Sequence, residues 1–166
     1  MPTLISIPIL GILMMFQTAV VSRIHLLQGT ADLVMLVLSA WALQERVSSA
    51  WQWCIIAVLF LSLATALPLP ALAVAYLGVT GIALIVRRHI WQLPFLAMLI
   101  TTFAGTVIVQ VVSVFTLWLE GTSLPITEAL NLVLLPSLLL NLLLAIPIYA
   151  VLGDLANWLH PKEIEV

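Results

Sequence analysis

Three of the chain's carboxamides lie deep within its apolar runs: Gln17, Gln110 and Asn141. An amide turned toward hydrocarbon forfeits its hydrogen bonds at a cost of several kcal/mol, so each must face protein or water. Two chemistries are open to them. They can tie helices together, at about 0.6 kcal/mol per bond, or they can line a polar pocket for a small ligand. A carboxylate, Asp32, follows Gly29-Thr30-Ala31 and opens the next apolar run. The positive end of a helix dipole favours a carboxylate at that position; a contact with a partner's basic residue is the alternative.

The other reactive residue types do not assemble into a catalytic pattern. His25, His89 and His160 fall in three separate gaps, without the HExxH spacing that sets two ligands on one helix face. There is no GxSxG elbow and no glycine-rich phosphate loop followed by Lys. Glu45, Glu120, Glu128 and Asp154, like Asp32, lie near the ends of apolar runs rather than at mid-span, where an ionisable group would argue for an ion path. The single cysteine, Cys54, sits in an apolar stretch and reads as a small buried hydrophobe. The sequence therefore predicts no enzyme, no cofactor and no metal centre.

What must position these residues is set by composition. Of 166 residues 64% are hydrophobic and 7% charged, against about half and about a quarter in soluble domains. A soluble core of this size cannot bury that much apolar surface. The expectation is one integral-membrane domain over 1–166, all-α and polytopic, with lipid as a partner and no nucleic acid. A bilayer core of about 30 Å takes about 20 helical residues. By that measure six transmembrane helices are predicted, near 4–22, 28–44, 49–67, 71–87, 92–119 and 126–156. The second is the shortest, its purely apolar part running only from Leu33 to Leu43. No long run alternates in polarity, which excludes a transmembrane barrel.

Arg46, Arg87, Arg88 and Lys162 all map to the side of the N-terminus, and Arg23 alone to the other. The positive-inside tendency then makes both termini cytoplasmic. Trp41, Trp51, Trp53, Trp91 and Trp158 are predicted at cytoplasmic helix ends and Trp118 at an outer end, where indoles favour the headgroup boundary. The first helix, with no basic stretch before it, is expected to stay in the mature protein. The outer turns, Leu67-Pro68-Leu69-Pro70 and Gly121-Thr122-Ser123-Leu124-Pro125, are short.

Small residues recur at intervals of four in the fifth helix, at Ala97, Thr101 and Gly105. They let backbones approach where no hydrophobic force drives association. Either internal packing or a docking face for a partner's single helix would use them. In the sixth helix Pro147 leaves the carbonyl of Leu143 without its donor, which predicts a kink lying inside the bundle, braced by Asn141.

Three stretches resemble the MreD family of bacterial rod-shape proteins. Gly29-Thr30-Ala31-Asp32-Leu33-Val34 with Leu38-Ser39-Ala40-Trp41 is similar to the family's entry into its second helix. Leu67-Pro68-Leu69 is similar to its turn after the third. Leu134-Leu135-Pro136-Ser137-Leu138, Leu140-Asn141-Leu142 and Ala145-Ile146-Pro147-Ile148-Tyr149 are similar to its last helix. Two positions depart from the pattern: Ser62 stands where an Asp is common, and Pro70 where a Gly is expected.

The resemblance implies a non-enzymatic membrane scaffold of the cell-elongation machinery, with a bundle similar to the substrate-binding (S) components of vitamin transporters. It implies MreC as the direct partner and, through the complex, regulation of peptidoglycan synthesis by RodA and a class B penicillin-binding protein. Self-association stays open. The runner-up is an S-component-like carrier holding a small molecule among Gln17, Gln110 and Asn141.

Overall fold

Proline and glycine punctuate long apolar runs here, and the helices follow that punctuation. In a computed structural model, which describes residues 2–19, 28–45, 47–90, 92–121, 125, 127 and 129–159, the elements are α1 (Pro2–Ala19), α2 (Leu33–Leu43), α3 (Ala50–Ala64), α4 (Leu69–His89), α5 (Pro94–Leu119) and α6 (Leu135–Leu159). A π-helical turn, Ala129–Leu134, leads directly into α6. Prolines stand in the first turns of α4 and α5, where a missing N–H costs nothing. Among the described residues there is no β-strand.

The α4 and α5 helices, and the 31-residue run Ala129–Leu159, are long and apolar enough to cross a bilayer. Their outward faces are greasy: Val74, Ile85, Phe103, Phe115 and Leu139 are all exposed. A soluble protein of this size rarely exposes so much contiguous apolar surface. This is an all-α membrane protein.

The second helix departs from the sequence expectation. It begins at Leu33 rather than near 28, and residues 28–32 are not helical. Its 11 residues rise about 16 Å, roughly half of a bilayer core, so α2 alone does not cross. All of its residues are buried, and it touches each of the other five helices. The shortest helix is the axle of the bundle, and a helix apolar all round is what that position requires.

Its C-terminal end is closed by a charge read from sequence only as a marker of sidedness. Arg87 reaches from α4 and donates from Nη1 to the carbonyls of Gln44 (2.9 Å) and Val47 (3.0 Å). The indoles of Trp41 and Trp53, expected at the wet boundary, are instead fully buried and stacked at 4.2 Å. Trp41 donates to Ser49 Oγ. The two rings supply core volume between α2 and α3. Trp51, Trp118 and Trp158 are exposed, as boundary indoles are.

Several sequence readings fall outside the described residues: Arg23, His25, Arg46, Trp91, Thr122, Ser123, Leu124, Glu128, His160 and Lys162.

Candidate functional site

The five residues before α2 carry backbone groups into the bundle without helical partners, and the neighbouring helices answer them. Pro136 has no N–H, so the carbonyl of Leu132 loses its ordinary helical donor. The backbone N–H of Gln28 donates to that carbonyl at 3.1 Å. The N–H of Thr30 donates to Ser137 Oγ at 3.2 Å. The approach is tight enough to demand glycine. A Cβ on Gly29 would lie 2.5 Å from the backbone nitrogen of Ser137 and 2.7 Å from Pro136 Cβ.

The amides singled out from sequence meet here. Gln17 of α1 spans two backbone groups of the entry segment. Its Nε2 donates to the carbonyl of Ala31 (2.8 Å), and its Oε1 accepts from the N–H of Leu33 (2.9 Å). Asn141 of α6 accepts the N–H of Asp32 on Oδ1 (2.8 Å) and donates from Nδ2 to Thr106 Oγ1 of α5 (3.0 Å). Thr106 in turn donates to the carbonyl of Thr102. Gln110 makes the longest contact of the set, from Nε2 to Ser137 Oγ at 3.4 Å.

Asp32 caps α2. Its Oδ1 accepts from the N–H of Met35 at 2.9 Å, the bond expected of an Asp at this position. Its Oδ2 accepts from the Tyr76 hydroxyl of α4 at 2.6 Å, a short charge-assisted type of bond. Five helices thus contribute to one cluster: α1 through Gln17, α2 through its cap, α4 through Tyr76, α5 through Thr106 and Gln110, and α6 through Ser137 and Asn141.

The cluster borders a cavity of about 220 Å³, lined by Gln17, Thr30, Asp32, Tyr76, Gln110 and Asn141, with Met14, Met35, Leu61 and Val109 as its apolar wall. Thr18, Ala64 and Thr65 also line it and are exposed, so its mouth lies where α1 and α3 end. Among the described residues no Lys or Arg contributes to the lining, and no three His, Cys, Asp or Glu side chains group as metal ligands.

Tyr76, Thr106 and Ser137 were not singled out from sequence. Tyr76 had a readable signal, a hydroxyl in mid-run that needs a partner when buried. Thr106 and Ser137 had none, since a small hydroxyl can return its proton to its own helix backbone.

The small-residue ladder of α5 faces inward: Ala97, Thr101 and Gly105 are buried. A Cβ on Gly105 would stand 3.1 Å from Met35 Sδ and 3.2 Å from Val79 Cγ1. Here the ladder serves internal packing against α2 and α4. Pro147 behaves unlike its sequence reading. It is exposed, and Leu143 is 73% exposed, so this stretch of α6 lies on the perimeter rather than inside the bundle. Asn141 braces Asp32 and Thr106 instead. The reason is rotational: Asn141 and Ala145 form one face of α6, while Leu143 and Pro147 form another.

Pro147 lines a second feature, an apolar groove of about 620 Å³ between α1 and α6, floored by Leu33 and Val37 of α2. Ile9, Ile12 and Phe16 form one wall, and Leu144, Val151 and Leu155 belong to the other.

Comparison with protein-family models, curated proteins and solved structures finds no match for this chain. Architecture and site define it as a helical membrane bundle with a polar cluster at the entry to its central helix.

Proposed function

We propose that this protein is a non-enzymatic membrane scaffold of the MreD type, acting in bacterial cell elongation and cell-wall organisation. In this reading it crosses the inner membrane six times with both termini cytoplasmic. It holds MreC and, through that complex, influences RodA and a class B penicillin-binding protein.

The observation that carries the reading is the groove between α1 and α6. Its walls are apolar along about three turns of α6, from Leu144 to Leu155, and α2 floors it where another helix would otherwise pack. A single membrane-spanning helix, the one such segment of MreC, suits a site of that length and polarity. The hydrogen bonding of the polar cluster agrees with a scaffold, because most of its donors and acceptors serve to hold the bundle together.

Co-purification from membranes tests the proposal. Tagged protein is expected to retain MreC, and Val151→Trp or Ile12→Trp, which fill the groove from opposite walls, should release it. Retention by both groove variants would overturn this contact, and failure of the wild type to retain MreC would overturn the function. Thiol labelling in intact cells tests sidedness: a cysteine at position 122 should react with an impermeant reagent and one at position 162 should not. The reverse pattern would sink the six-span arrangement.

A second reading is a carrier that holds a small molecule. It is favoured by one observation, that Gln17, Gln110 and Asn141 line a single cavity open at its rim.

A further inference from the structure

The unspent hydrogen-bonding capacity of the cavity is not evenly distributed. Gln17 uses its carbonyl and one amino proton on α2's entry, and Asn141 uses both ends of its amide. Thr106 spends its proton on Thr102 and accepts from Asn141. Tyr76 spends its proton on Asp32. The carboxylate is different. Its two oxygens offer about four acceptor sites; the N–H of Met35 and the Tyr76 hydroxyl take one on each oxygen, and the N–H of Val34 also contributes. What remains on the carboxylate is acceptor capacity, with no Lys or Arg beside it among the described residues.

We propose that this cavity binds a small organic monocation, a primary ammonium, with Asp32 as its counter-ion. The proposal rests on the second reading only in taking the cavity for a binding site; it does not require transport. The ammonium group supplies positive charge, together with donors for the acceptor capacity left on the carboxylate. The apolar wall of Met14, Met35, Leu61 and Val109 faces the alkyl body, and thioether side chains adapt to irregular apolar shapes. About 220 Å³ lies below the roughly 300–1,000 Å³ of pockets for drug-sized ligands, which limits the guest to a few heavy atoms. An anion would meet the carboxylate with no Lys or Arg among the described lining residues to offset it. A neutral alcohol can donate one hydrogen bond to the carboxylate but does not offset its charge. Entry is past the exposed Thr18 and Thr65.

Purified full-length protein in detergent tests this with three probes of one size: n-propylammonium, n-propanol and propionate. Calorimetric titration and the unfolding midpoint should show binding and stabilisation by the ammonium alone. Asp32→Asn keeps the shape of the cap and should weaken ammonium binding at least about tenfold. Val109→Phe keeps the carboxylate and fills the cavity, and it should abolish binding with the fold intact, so the test survives if Asp32→Asn does not fold. Equal binding of propanol and propylammonium would overturn the counter-ion role while leaving a binding cavity. Binding of none of the three by the wild type, or undiminished binding by Val109→Phe, would overturn the site itself.

Discussion

Gly29→Ala adds one methyl group to the molecule at its least forgiving contact. The new carbon would lie 2.5 Å from the backbone nitrogen of Ser137 and 2.7 Å from Pro136 Cβ. Neither neighbour is the loose end of a flexible side chain, so the entry segment must move off α6. Overpacking of this kind costs about 1–3 kcal/mol. The displacement also stretches the bonds from Gln28 to Leu132, from Thr30 to Ser137 and from Asp32 to Asn141. At about 0.6 kcal/mol for each such bond in a membrane protein, their weakening brings the loss to about 2–4 kcal/mol.

The control is Gly11→Ala in α1, where an added carbon meets nothing within 4 Å. It should be neutral or stabilising by up to about 1 kcal/mol, because Ala is the better helix former. Denaturant unfolding in mixed micelles, followed by far-UV circular dichroism, compares the two variants with the parent. A Gly29→Ala protein as stable as the parent would refute the close approach, and with it the account of how the entry segment is held. Equal destabilisation by Gly11→Ala would refute the packing argument as its cause.

Asn141→Leu leaves the N–H of Asp32 without an acceptor and uncouples α6 from Thr106; the expected loss is about 1–3 kcal/mol in the same unfolding assay. Pro147→Ala, on the perimeter, should leave stability within about 0.5 kcal/mol; a large loss would return the bend to the interior. Gly105→Leu drives a branched side chain against Met35 and Val79 and should cost about 1–3 kcal/mol or prevent folding, whereas Val107→Leu, which is not fully buried, should be tolerated; parity between the two would mean that the ladder does not pack inward. Arg87→Met removes donors from the carbonyls of Gln44 and Val47, for an expected loss of about 1–2 kcal/mol, and hydrogen exchange should rise first at the end of α2.

Much of the helix pattern was legible because lipid selects for it. Runs of apolar residues broken at Pro68, at Arg87-Arg88-His89 and at Gly121 locate α3, α4 and α5 to within a few residues, since an unpaired backbone group in hydrocarbon costs several kcal/mol and only a helix satisfies every one of them locally. Asp32 was also readable as a helix-opening residue, because the cap is a local interaction spanning three positions. The inward need of Gln17, Gln110 and Asn141 followed from the same physics that forbids an amide in lipid.

Only the tertiary structure decided where those residues point and what they meet. A lipid tail and a protein interior have nearly the same polarity, so hydropathy carries no signal that separates a buried face from a lipid-facing one. That is why α2, the most buried helix, read as one of six spans, though the shortest, and why Trp41 and Trp53 read as boundary indoles while they stack in the core. It is also why Pro147 looked internal and Pro136 went unremarked. Which proline matters depends on what lies across from its orphaned carbonyl, and the N–H of Gln28 comes from 104 residues earlier in the chain than Leu132. The sequence by itself determined a helical membrane protein with a few polar groups that must find partners. The partners were chosen by packing, since each lies on a different helix and the distances between helices are written nowhere in the local sequence.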